Sequence, residues 1–261
     1  MRNFYFPPKA PGSYFDLSRF KLTVPLDYPT DSNSNADEIG QADLPTWADS
    51  YFFLDDSNRM VMTAPVQAAT TGGSGGTRCE LREMEPDGTE SAWDMRSAHR
   101  IFTVSGIFDP TSCTDRKEMI AGQIHATGGT PPLYFAVEHH VATPRLRLYK
   151  DGPGVANLLT GLTATTQIAY QLLIGGGRVR VKAVIGDQTG LAAAPVLYDF
   201  AATEFAEFTN CYMKCGAYNK SDVADGGTGE SIATITYISL EQWVPATVSR
   251  PSGSFFFGFM S

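Results

Sequence analysis

The chain has 261 residues, with 20 basic and 28 acidic side chains and a formal net charge of −8; a balance of that sign excludes a general nucleic-acid binder or a binder of acidic membranes. No segment reaches the roughly 20 apolar residues of a membrane span. The four cysteines are too few for a disulfide scaffold and lack the C-x-x-C spacing of a zinc site.

Abundant Gly (25), Pro (16), Phe (16) and Tyr (11), with few long helical patterns, predict a β-rich chain with many turns and one sizeable core. Residues 1–14 are Pro-rich and read as an arm. They lack the apolar core and small-residue cleavage site of a signal peptide, which implies either that the protein is not exported by that route or that a leader has been trimmed. A single domain is expected over 15–247 and an apolar tail, too short to span a bilayer, over 248–261.

Residues 20–25 alternate and end at Pro25, as an edge strand does. The stretch 27–44, rich in Asp, Ser, Asn and Pro, reads as a surface loop, and 51–54 and 60–65 as a hairpin. The glycine-rich run 70–76 lacks the Gly-Lys-Ser/Thr ending of a phosphate-binding loop and leads into a strand, so it reads as a lid or turn. Glu85, Asp87 and Glu90 match a pattern of paired carboxylates used in glycoside hydrolysis, but Pro86-Asp87-Gly88 is a turn signal and the three acids are expected to splay into solvent. Strands are expected over 99–108, 117–125, 133–140, 145–149, 170–174, 178–185 and 231–243, with the only short helix within 198–208. Cys79, Cys211 and Cys215 take the apolar phase of their strands and read as buried thiols. Cys113 lies in a polar stretch and is open to pairing with one of them.

Side chains alternate faces along a strand. The run Arg78-Cys79-Glu80-Leu81-Arg82 therefore puts Arg78, Glu80 and Arg82 on one face and Cys79 and Leu81 on the other. Gln123 and His125 repeat that spacing, as do Tyr212, Lys214 and Tyr218, while Arg145, Arg147 and Tyr149 share a further face. If these strands join one sheet, their polar residues converge on a local cationic and aromatic groove suited to an anionic chain. Each part also has a plain structural reading: a cross-strand ion-pair ladder, a structural histidine, half-buried tyrosines.

Lys21-Leu22-Thr23-Val24-Pro25, Thr70-Thr71-Gly72-Gly73-Ser74, Arg78 to Met84, Gln123-Ile124-His125 and Tyr212 to Asn219 together resemble the ordered motifs of the alginate lyases of polysaccharide lyase family seven. The resemblance runs from about residue 15 to 243. Cys79, Met213 and Cys215 depart from the usual residues at core-facing positions, and Lys220 replaces a frequent Gln. The resemblance implies an all-β jelly roll of two antiparallel sheets and cleavage of a uronate polymer by β-elimination. It implies Arg78, Gln123, His125 and Tyr218 as catalytic residues. Glu80, Arg82, Lys214, Tyr212, Arg145, Arg147 and Lys220 are then expected on the substrate side, with Glu80 orienting Arg78 and Arg82.

In that chemistry Arg78 and Gln123, with His125, neutralise the uronate carboxylate. Tyr218 moves the protons, although an ordinary phenol with a pKa of about 10 is a poor base unless cations favour phenolate. His125, with an ordinary pKa of about 6.5, is the natural base for guluronate. Ile124 resembles members that accept guluronate-containing blocks. No metal or cofactor is expected, and the partner is alginate rather than nucleic acid or membrane. The leading reading is an endo-acting lyase, expected as a monomer, and the resemblance implies that it is secreted or extracellular. The alternatives are a lyase for another polyuronate such as glucuronan, or a non-catalytic jelly-roll module that binds polysaccharide.

Overall fold

The computed structural model describes residues 8–28, 35–72, 75–127 and 129–242. Along the chain the strands are β1 (Phe20–Thr23), β2 (Glu38–Ile39), β3 (Phe52–Leu54), β4 (Met60–Pro65), β5 (Arg78–Glu83), β6 (Arg100–Asp109), β7 (Glu118–His125), β8 (Leu133–Glu138), β9 (Arg145–Lys150), β10 (Gly154–Thr160), β11 (Gln167–Gly175), β12 (Arg178–Ile185), β13 (Tyr198–Ala201), β14 (Tyr212–Asn219) and β15 (Glu230–Gln242). They form an eight-stranded sheet ordered β10-β9-β8-β7-β14-β5-β1-β2 and a seven-stranded sheet ordered β13-β12-β11-β6-β15-β4-β3. The two antiparallel sheets stack as a jelly-roll sandwich. Among the described residues the helical segments are short 3₁₀ turns, and no helix is long and apolar enough to cross a membrane.

Alternation decides which side chains fill the space between the sheets. Cys79, Leu81, Ile124, Phe135, Met213 and Cys215 from one sheet meet Met62, Phe102, Val104, Tyr170, Leu172 and Ile235 from the other, in one buried cluster. Each fully buried Leu, Phe or Met contributes roughly 1.5–3 kcal/mol. Tyr170 crosses this core: its ring centre lies 4.6 Å from that of Phe135, and its hydroxyl donates to the Ala121 carbonyl at 2.8 Å. A Cβ on Gly122 would sit 2.1 Å from that hydroxyl, so the close approach requires glycine and fixes β7 just before Gln123.

A second glycine shapes β14. Gly216 has φ of 142°, and a Cβ there would lie 2.4 Å from the Cys79 carbonyl oxygen. The β14–β7 pairing slips between Cys215 and Tyr218, a bulge that turns the strand end while Tyr218 stays opposite Arg78 on β5.

Several expectations need correction. Residues 20–25 do not form an edge strand, because β1 lies between β5 and β2. β2 comes from the stretch read as a surface loop; backbone bonds from Val24 N to Asp37 O and from Asp37 N to Leu26 O fold that stretch back past Pro25. Residues 198–208 hold β13 and a 3₁₀ turn, Ala202–Phe205, in place of the expected helix. β10 was not anticipated; its side chains are all half-buried or exposed, so no apolar alternation marks it. Of the arm, the described part joins the sandwich through a Lys9–Leu54 bridge. The tail over 248–261 lies outside the described residues.

Candidate active site

The eight-stranded sheet turns its outer face to a cavity of about 540 Å³. Registers explain the convergence: Tyr218 is opposite Arg78, Lys214 opposite both Arg82 and Gln123, and Tyr212 opposite His125. Arg78, Gln123, His125 and Tyr218 all line the cavity, as do Arg82, Tyr212, Lys214 and Lys220. The Arg78 guanidinium lies over the Tyr218 ring, 4.1 Å from its centre, and Lys220 Nζ is 5.2 Å from the same centre. Such packing holds a planar cation and a phenol in one orientation.

Glu80 sits beneath this face with no exposed surface and does not line the cavity, which corrects the expectation that it touches substrate. It is a buried anchor for the groups that do line the cavity. Its oxygens take Gln123 Nε2 at 2.6 Å, Lys214 Nζ at 2.6 Å and Arg78 Nη1 at 3.5 Å. Burial, the largest influence, pushes the Glu80 pKa up, but Lys214, Arg78 and the hydrogen bonds from Lys214 and Gln123 together hold it below the usual carboxylate range. With its amide nitrogen turned to Glu80, Gln123 keeps a buried Oε1 without a hydrogen-bond partner among the described residues.

His125 is set by its neighbours. Its Nδ1 lies 2.8 Å from the Ala126 carbonyl oxygen and 3.1 Å from Tyr212 Oη, and its ring stacks on that of Tyr212 at 5.3 Å. Because a carbonyl can only accept, Nδ1 carries the proton in the neutral ring and Nε2 keeps a lone pair. Burial, then the Lys214 charge, lowers the His125 pKa, so that neutral form prevails at neutral pH.

Arg82 is held differently from the expectation. Glu80 was expected to orient both arginines, yet Arg82 makes a two-pronged pair with Glu90, Nη1 to Oε1 at 2.9 Å and Nη2 to Oε2 at 2.8 Å, and its guanidinium lies 3.9 Å from the Tyr212 ring centre. Lys21 also reaches Glu90 at 2.8 Å. Of the three acids expected to splay into solvent, only Asp87 does so without a cation. Glu85 lies 3.4 Å from Arg100, and Glu90 is tied to the cavity wall because β1 brings Lys21 opposite Arg82.

Arg145 and Arg147 share the outer face but lie on β9, two strands beyond β7, and do not line the cavity. Arg145 is taken by Glu138 at 2.6 Å. The sequence reading missed Tyr134, Thr23, Glu38 and Thr130, which do line it. Tyr134 was within reach, since it faces Tyr149 in the β8–β9 register; Thr130, in a loop, carries no such signal. All four cysteines are free and buried. Cys113 is no exception, because its Sγ packs on Asn219 Oδ1 at 3.5 Å rather than on a second sulfur.

A family model described as alginate lyase matches residues 15–242. An alginate lyase of Klebsiella pneumoniae is 33% identical over 160 residues, 50% of this chain and 52% of that protein, so the match spans about half the length of this curated relative. Among solved structures, an alginate lyase from Corynebacterium sp. superposes with a TM-score of 0.75 at 21% identity, covering 91% of this chain and 100% of its own. An alginate lyase of polysaccharide lyase family 7 gives 0.74 at 23% identity, covering 90% and 99%. At such identities the structural likeness speaks for the fold.

Proposed function

The chain belongs to the alginate lyase family, and from that premise we propose that it cleaves the 4-O-glycosidic bond of alginate by β-elimination. The supporting observation is the meeting of a guanidinium (Arg78), an amide (Gln123), an imidazole (His125) and a phenol (Tyr218) around one cavity. That set suits the chemistry. The C5 proton of a uronate is hard to remove while the neighbouring carboxylate is negative, so that carboxylate must first be neutralised by donors placed in advance. The Arg78 fork matches two carboxylate oxygens, and the buried Glu80 fixes Arg78, Lys214 and Gln123 around the same spot.

In the step itself the C5–H electron pair becomes the C4=C5 double bond. The C4–O bond breaks, its electrons stay on the leaving oxygen, and that oxygen takes up a proton. In mannuronate the C5 hydrogen and the leaving group lie on the same side of the ring, and Tyr218 serves as both base and acid. In guluronate they lie on opposite sides; His125 Nε2, with its lone pair, takes the proton and Tyr218 supplies the other. Guluronate acceptance rests on that imidazole. Ile124 is fully buried in the core and cannot touch a sugar.

Endo action fits the cavity's position, since it reaches the sheet edge at Glu38 of β2 while β9 and β10 continue past it on the other side, leaving room for a polymer to cross. One chain supplies every group named, which fits a monomer, and a polymeric substrate fits a protein that acts outside the cell.

The experiment is to incubate the protein separately with poly-mannuronate, poly-guluronate and polyglucuronate and to follow the ultraviolet absorbance of the new double bond, with the products sized by mass. A rise with both alginate blocks and a ladder of internal products is expected. A rise with polyglucuronate alone replaces the substrate, and binding without any rise reduces the protein to a polysaccharide-binding module.

A further inference from the structure

On the β9 side of the cavity lies a second arrangement of cation and aromatic rings. The Tyr134 and Tyr149 rings are parallel within 6° at 4.5 Å, and Tyr134 also lines the cavity, so the pair continues the groove outward. Glu138 accepts a hydrogen bond from the Tyr149 hydroxyl and fixes that ring. The two arginines of β9 then part ways. Arg145 is neutralised by Glu138. Arg147 makes no ion pair among the described residues, and its Nε is buried without a hydrogen-bond partner among them. Its guanidinium lies 5.2 Å from the Tyr149 ring centre, over the backbone of Gly154, where a Cβ would come within 2.3 Å of Nε and 2.4 Å of Nη2. The half-buried cation is thus seated by an aromatic ring and a missing side chain, with no carboxylate of the described chain to meet it.

We propose that Arg147, Tyr149 and Tyr134 form a distal subsite that takes the carboxylate of a uronate residue remote from the bond being broken. The proposal rests on the reading of the central cavity as the cleavage site. Strands in a sheet are about 4.8 Å apart, so β9 lies roughly 10 Å from β7, which puts this residue beyond the one that reacts. The sugar's carboxylate meets the Arg147 fork while its ring lies along the tyrosine pair. Affinity gained there raises cleavage only of chains long enough to reach it.

The test is kcat/KM on a ladder of purified oligouronates, from trimers to octamers, for the wild-type chain, Arg147→Gln and Gly154→Ala. The glycine variant keeps the charge but displaces it. Wild-type rates are expected to climb with length and then level off. Both variants should lose about tenfold on the long oligomers only, with the shortest cleavable ones unchanged. Equal loss at every length, or none at any length, overturns the subsite while leaving the central cavity's role intact. A wild-type chain that cleaves no uronate overturns both. If one variant fails to fold, the other decides alone; if both fail, a wild-type rate that does not rise with length overturns the proposal.

Discussion

Two glutamates three residues apart on β5 are both completely buried, yet they do opposite things. Glu83 points between the sheets and is saturated: it accepts from Trp93 Nε1 at 2.8 Å, from Met213 N at 2.9 Å and from Arg100 Nε at 3.1 Å. Arg100 belongs to β6 of the other sheet, so this carboxylate straps the sandwich together. Glu80, on the outer face, is crowded by Lys214, Gln123 and Arg78, and the groups it holds line a cavity. Burial and charge are alike at the two places. The difference is closure: a structural network satisfies its members among themselves, whereas a site leaves some of its polar capacity for what enters.

The largest effect that sharpens this contrast is expected from Tyr218→Phe. It removes only the proton-carrying hydroxyl from the open face, so turnover should fall by about 10³-fold, within the range for general acid–base groups. Substrate binding and the urea midpoint should be kept. Turnover near the wild-type rate would remove Tyr218 from the mechanism. Next comes Glu83→Gln on the closed side. Breaking a buried pair while leaving Arg100 charged costs about 3–5 kcal/mol, read as a lower urea midpoint, and the molecules that remain folded should cleave at the wild-type rate. A large loss of kcat with stability intact would show that the strap reaches the site.

The outer face was legible in the sequence because period two is a rigid rule: once Arg78, Gln123, Lys214 and Tyr218 stood on strands, their shared face followed. Which strands were neighbours was not legible, since register depends on pairings between distant segments, and so β1 was placed at an edge. The partner of Arg82 was missed for a related reason. Pro86-Asp87-Gly88 does make the turn, with Gly88 N bonded to Glu85 O. The turn sends Glu90 back alongside β5, where a bridge to Met84 sets it before Lys21 and Arg82, and no local signal reports that return. Glu83 lies within the same β5 motif, but a charge on the core-facing phase has meaning only once Arg100 stands across from it.

Glu80→Gln is expected to have a mixed and smaller result. Losing the anchor leaves Lys214 and Arg78 less well placed, and turnover should fall by about ten- to a hundredfold. The unfolding free energy should drop by only about 1–2 kcal/mol, less than for Glu83→Gln, because water and anions in the cavity can compensate cations that the core could not. Equal destabilisation by the two substitutions, measured by urea unfolding, would erase the distinction between open and closed networks.

The smallest effect is also the most specific. His125 must be neutral to accept a proton, and burial with the Lys214 charge lowers its pKa from 6.5. The acid limb of kcat/KM on poly-guluronate should therefore have its midpoint below pH 6.5, with activity lost as pH falls through it. Glu80 opposes that lowering, so Glu80→Gln should move the limb further to the acid side. Glu83→Gln, with its charge on the far side of the sheet, should leave the limb in place. A limb above pH 6.5, or one that responds equally to both substitutions, would mean that the titrating base is not the imidazole beside Glu80.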